Sequence, residues 1–190
     1  MKIAIFVHHT GDKSPDPQFA KVNAYHKSKN YPVSSLGFYV GYTYFIGKDG
    51  TIKQARLETE RGAHTVNCGC KNDKTGWEYD KANVLAIGVC LAGDFKKEKP
   101  TERQIASLVA LVEDMQNRHN IPDANLFNHY DAKNTACPGM DLVAEVLRIK
   151  RLRLQLSAAE KSVSRATPTR KARLLRFIGR ATKILKSFLP

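Results

Sequence analysis

No stretch of the 190-residue chain approaches the roughly 18 apolar residues that a membrane-crossing helix needs. The one apolar run at the N-terminus, Ile3 to Val7, is too short for the core of a signal peptide, so synthesis in the cytoplasm without export by that route is the expectation. Cysteine is scarce, and four residues do not make a disulfide framework. Cys90 sits in an apolar run and reads as a buried thiol. Cys68 and Cys70 flank a single glycine, where a bridge would be strained, and read as reduced surface thiols. Acidic residues are almost missing from the C-terminal part. Residues 148–190 hold one acidic residue against 13 Lys and Arg, net +12, whereas residues 1–147 hold 17 against 18, net +1. The basicity of the chain therefore belongs to its tail, and no set of stacking aromatics accompanies it, which argues against nucleic-acid binding.

Length and a hydrophobic content of 42% suit one domain with an appendage. Lys2 to His8 and Leu85 to Ala92 are continuous apolar runs of strand length, the pattern of strands buried on both faces. Tyr42–Ile46 and Thr51–Ala55 are joined through Lys48-Asp49-Gly50 and read as a hairpin. A helix is expected from Gln18 to about Lys29, with Phe19, Val22 and Tyr25 inward and His26 toward solvent. A second is expected after Pro100, capped by Thr101 with Gln104 reaching back, its Ile105, Leu108, Val109, Val112 and Met115 at helical spacing. A third runs from Asp141 to about Leu156. Strands interleaved with helices predict an α/β fold with a mixed central β-sheet flanked by helices. Leu57 to Ala82 is a long polar stretch without hydrophobic period, the kind of loop that usually has a function. Within it, Trp77 and Tyr79 offer a flat surface for sugar or peptide.

The eleven residues HYDAKNTACPG, His129 to Gly139, carry the clearest chemistry. His and Cys are ligand types that zinc favours, and the loop between His129 and Cys137 lets both turn back onto one ion. A third ligand is available upstream, where an apolar run ends in His8-His9. Two histidines and one thiolate leave the fourth tetrahedral position open for water, the arrangement of a catalytic zinc. Neighbouring strand residues point to opposite faces, so His8 and His9 do not both reach one metal, and spacing alone does not choose between them.

The succession VHHT, GYTYFIGKDGTI, GAHT, N-x-x-A-IGVCLAGDF and H-x7-CPG-x-DL, from about Ile3 to about Leu142, resembles the type 2 N-acetylmuramoyl-L-alanine amidases. That family includes the phage lysozyme-like amidases and the animal peptidoglycan recognition proteins. The resemblance implies one Zn2+ per chain held by His8, His129 and Cys137, with His9 behind them as a supporting or packing residue. It implies peptidoglycan as substrate, cut between the lactyl group of N-acetylmuramic acid and the L-alanine of the stem peptide. Tyr42 and Thr135 take the catalytic positions and His64 and Asn83 the substrate-binding ones. The phage members carry lysine where Thr135 stands and the recognition-protein amidases carry threonine, so Lys133, two residues earlier, is the alternative for a cationic role.

The chain divides at this level into an amidase-like domain over 1–156, a small polar linker over 157–169, and a cationic amphipathic helical tail over 170–190. In the tail Leu174, Phe177, Ile178, Ala181, Ile184, Leu185 and Phe188 share one helical face, and Arg173, Arg176, Arg180 and Lys183 fall away from it. Arg173, Arg176, Phe177, Arg180 and Lys183 are the residues expected to meet an anionic membrane or lipopolysaccharide. A helix packed on its own domain is the alternative. The overall expectation is a monomeric phage-type endolysin acting on the cell wall in the periplasm or envelope. A peptidoglycan-binding module without catalysis, or a membrane-disrupting antibacterial protein acting through its tail, are the competing readings.

Overall fold

The computed structural model describes residues 1–15, 18–66, 73–78, 80–163 and 166–188. Cys68, Cys70 and Tyr79 lie outside the described residues. Five strands form one sheet: β1 (Ala4–His9), β2 (Tyr44–Ile46), β3 (Ile52–Gln54), β4 (Ala86–Leu91) and β5 (Leu126–Asn128), in the order β3-β2-β4-β1-β5. β1 pairs in parallel with both β4 and β5, β2 pairs in parallel with β4, and only β3 runs antiparallel, so the sheet is mixed as expected. The two apolar runs are the two central strands, and every residue of each is buried. Among the described residues five α-helices accompany the sheet: α1 (Gln18–Ser28), α2 (Lys81–Leu85), α3 (Glu102–His119), α4 (Leu142–Val163) and α5 (Pro168–Lys186).

Alternation along the strands separates two functions. Ile5 and Val7 of β1 and Ile87, Val89 and Leu91 of β4 pack against Leu108, Val112 and Met115 of α3 and Leu142, Val146 and Ile149 of α4, forming the main core. The opposite face carries Phe6 and His8 beside Gly88 and Cys90. There Phe45, Cys90 and Ala92 are covered by Phe19 and Val22 of α1. Trp77 packs with Phe127 on the small cluster around Phe6, so it is a covering residue and not the exposed flat surface expected of it.

α3 begins as its sequence predicts. The Thr101 hydroxyl accepts from Gln104 N and the Gln104 carbonyl accepts from Thr101 N, a reciprocal cap. α1 departs from expectation: Tyr25 is 60% exposed and His26 only 7%. Phe19, Val22 and His26 stand at i, i+3 and i+7 and share a face, which Tyr25 does not, so position decided and hydrophobicity did not.

The tail also departs from expectation. α4 continues to Val163, so the polar stretch starting at Ser157 is helical for its first seven residues, and the next helix starts at Pro168. Ala, Glu and Lys are good helix formers, and small polar composition was a poor sign of a linker here. α5 folds back onto α4, burying Ala181 on one helix and Ala159 on the other. Leu185 and Phe188 reach the main core. Phe177 is half-buried, whereas Arg173, Arg176, Arg180 and Lys183 are exposed, with no ion-pair partner among the described residues.

Glu58 ties β2 to the end of α3. Its carboxylate accepts from both guanidinium nitrogens of Arg118 at 2.6 and 2.8 Å and from the Tyr44 hydroxyl at 2.6 Å, and lies 2.6 Å from His119 Nε2. Chiefly through Arg118, this pulls the Glu58 carboxyl from 4.5 down to about 2. A depressed folded-state pKa stabilises fully above about pH 4.5 and is lost as pH falls toward 2. Glu58→Gln is expected to cost about 1 kcal/mol at pH 7, after allowing for the solvent-exposed guanidinium. Thermal melts should show this as a drop in Tm of roughly 2–4 °C, and the gap to wild type should close as pH falls below about 4.5.

Candidate metal centre

The centre forms where β1 ends and the chain returns from β5. After Asn128 a single tight turn, His129–Asp131, is held by reciprocal bonds between Asn128 and Asp131. The loop then closes on itself, with Tyr130 N donating to Cys137 O at 2.9 Å. The Thr135 hydroxyl accepts from Cys137 N at 3.3 Å. Gly139 follows at φ +89°, where a Cβ would fall 2.6 Å from the main chain of Phe95 and Lys96, so only glycine lets the loop lie this close.

This closure brings the Cys137 sulfur to 3.9 Å from His8 Nδ1, and the His129 ring centroid to 4.5 Å from that of His8. One ligand atom each from His8, His129 and Cys137 lies within 4.8 Å of the others, the only such group among the described residues. The strand geometry resolves the choice between the paired histidines. His8 faces the centre, while the His9 ring lies on the opposite face, its Nδ1 accepting from Phe95 N at 3.0 Å. His9 still contributes through its backbone, whose N–H donates to the Cys137 sulfur at 3.4 Å.

Burial sets the protonation states. It pushes His8 well below its ordinary value, aided by the neighbouring histidines, and pushes His129 down to about 4 and His64 to about 3. All three are therefore neutral imidazoles with lone pairs to offer at physiological pH. Burial raises the Cys137 thiol to about 12, opposed by the His9 N–H, so metal binding there has to displace a proton. The Nε2 of His129 is buried without a hydrogen-bond partner among the described residues. Neutral nitrogen donors, one thiol and an unsatisfied ring nitrogen fit Zn2+.

A groove of about 480 Å3 opens beside the centre, lined by Tyr42, His64, His129, Lys133, Arg61 and Asp80 among others. Tyr42 lies over the His8 ring at 5.1 Å, and burial keeps its phenol protonated. Lys133 is exposed at the groove, whereas the Thr135 hydroxyl is engaged in the Cys137 loop. Asn83 is buried, its carbonyl accepting from His64 N and Thr65 N at 2.8 and 3.0 Å and its amide donating to Asp80 at 2.7 Å. It shapes the groove wall by holding the 64–65 segment. His26, which sequence reasoning placed in solvent, lines the same groove, stacked on Tyr31 at 4.2 Å and accepting from Gly41 N at 3.1 Å just before Tyr42. The i+7 spacing from Phe19 was the signal that could have found it.

A mixed sheet whose central strand delivers one histidine to a His/His/Cys cluster beside a groove defines a class of α/β proteins with a candidate metal-binding centre. Within that class, residues 3–140 match the N-acetylmuramoyl-L-alanine amidase family, and the chain belongs to it. It is 27% identical over 142 residues to peptidoglycan-recognition protein SC2 of Drosophila melanogaster, covering 74% of this chain and 70% of the fly protein. The endolysin of Enterobacteria phage K11 is 27% identical over 143 residues, covering 72% of this chain and 80% of the phage protein. Among solved structures, the N-acetylmuramoyl-L-alanine amidase LysC from Clostridium intestinale superposes with a TM-score of 0.56 at 33% identity, covering 74% of this chain and 78% of that one.

Replacing Gly139 by alanine forces an unfavourable φ and a main-chain clash at the metal loop. A loss of about 2 kcal/mol is expected. The accompanying sign is faster reaction of Cys137 with a thiol reagent in the zinc-free protein, read against the thermal melt.

Proposed function

We propose that this chain is a zinc-dependent amidase that hydrolyses the bond between N-acetylmuramic acid and the L-alanine of the peptidoglycan stem peptide. The observation that carries the reading is the convergence of His8, His129 and Cys137 beside an open groove, in a chain of this family. These three residues would hold one Zn2+. When bound, the ion supplies Lewis acidity, by which water becomes nucleophilic near neutral pH and an amide carbonyl is polarised.

The chain's own groups supply the rest. Tyr42 keeps its proton and can donate a hydrogen bond to the oxygen on which negative charge grows during amide cleavage. Lys133 brings a basic side chain to the same groove, and the Thr135 hydroxyl, which accepts from Cys137 N, keeps its own O–H to donate. His9 N–H and the Thr135 cap hold Cys137 in place. The presence of Cys137, of both histidines and of Tyr42 favours an enzyme over a binding module.

The test is zinc content together with release of stem peptides from purified sacculi. The wild-type chain is expected to hold about one zinc and to lose activity with a chelator, Cys137→Ala to be inactive, and Lys133→Met to be slower by about tenfold or more. Full activity of Cys137→Ala would defeat the zinc reading.

The exposed basic face of α5 supports a second role, attachment to an anionic membrane or lipopolysaccharide, as suits an endolysin reaching the wall from the cytoplasmic side. Each basic residue near such a surface contributes about 1 kcal/mol. Because Leu185 and Phe188 pack against the main core, deleting the tail would uncover part of it, and charge removal is the cleaner experiment. Arg173→Gln, Arg176→Gln, Arg180→Gln and Lys183→Gln together should abolish binding to phosphatidylglycerol vesicles at low salt while leaving sacculus hydrolysis unchanged. Unchanged vesicle binding would count against the attachment.

A further inference from the structure

His64 lines the groove, as expected of it, and most of its ring is at the same time buried against the candidate metal centre. Its Nδ1 lies 3.1 Å from His8 Nε2, on the side of the His8 ring away from the Nδ1 that faces Cys137. A neutral imidazole carries one proton. For His8 Nδ1 to offer a lone pair to a metal, that proton must sit on Nε2, and a buried N–H needs an acceptor. His64 Nδ1 is the acceptor at hand, which places the His64 proton on its own Nε2. The nearby Ala86 carbonyl favours a proton on that ring, although the buried Nε2 makes no full hydrogen bond among the described residues.

The surroundings hold His64 in this pose. Asn83 accepts from its backbone N–H at 2.8 Å. Gly62 and Gly88 leave space for the ring, since a Cβ on either would fall 2.6 Å from a His64 ring carbon. Gly88 lies on β4 beside Phe6 in register, and Phe6 closes the cage with its ring centroid 6.0 Å from that of His64. Two glycines and an asparagine thus converge on one side chain that meets a metal ligand.

We propose that His64 is a positioning residue: by accepting the Nε2 proton of His8 it holds that ring with Nδ1 toward Cys137 and His129, and so sets the zinc affinity of the centre. The inference rests on the zinc reading of the site and adds to it a residue that orients the metal ligand.

The experiment compares the full-length wild-type chain with His64→Asn and His64→Phe, measuring zinc affinity by competition with a chromophoric chelator. Asparagine keeps an acceptor near the Nδ1 position, and phenylalanine keeps a ring without one. His64→Phe is expected to bind zinc about 10–100-fold more weakly, and His64→Asn to recover most of the loss. In the zinc-free wild-type chain, imidazole 15N shifts should show the His8 proton on Nε2. Wild-type affinity in His64→Phe, an equal loss in both variants, or a His8 proton on Nδ1 would each overturn the proposal. If His64→Phe does not fold, the His64→Asn affinity and the wild-type tautomer decide it. A wild-type chain that takes up no zinc would remove the zinc reading itself, an outcome distinct from these.

Discussion

The structure depends on a central strand that ends in two buried histidines. β1 pairs with β4 through His9 and with β5 as far as Val7, and both histidines are buried. Alternation sends one ring to each face, and each buried imidazole must find partners or be strongly destabilising. His9 takes the Phe95 N–H on one side, while its backbone reaches the Cys137 sulfur. His8 is left among His64, His129 and Cys137. The return loop from β5 is shaped to this demand by the Asn128–Asp131 bonds, the Thr135 cap and the close packing of Gly139.

Crowding three largely buried imidazoles together has an electrostatic consequence. Desolvation and mutual repulsion disfavour their charged forms, so the cluster is held as neutral nitrogen donors. The same burial raises the thiol of Cys137 and the phenol of Tyr42. Such a site offers lone pairs inward and a proton-bearing phenol beside the groove, a division of labour that suits hydrolysis of an uncharged amide. The opposite sheet face, by contrast, packs mainly aliphatic side chains against α3 and α4, with His9 and Phe95 at its end.

Much of this was legible in the chain. The two central strands announced themselves as uninterrupted apolar runs, and the α3 start as a Thr-x-x-Gln box, because burial on both faces and helix capping are local requirements with local signatures. The His129–Cys137 loop was legible for the same reason: ligand types and loop length sit together in eleven residues. His26 was misread because a polar residue was assumed to face water although its spacing from Phe19 and Val22 pointed inward. Ser157 to Val163 was misread because composition does not separate a polar surface helix from a linker. Trp77 was misread because nothing near it in sequence reveals that Phe6 and Phe127 lie beneath it.

By itself, then, the sequence determined the family, the two core strands, the candidate ligands and the charge asymmetry of the tail, since each is written in residue type and short spacing. Only the tertiary structure decided which of the two adjacent histidines faces the centre, that His64 stands behind it, that Lys133 and not Thr135 opens onto the groove, and that the basic helix is docked on α4. Those outcomes depend on strand register and on contacts between segments far apart in the chain, where a one-residue shift exchanges the two faces of a strand.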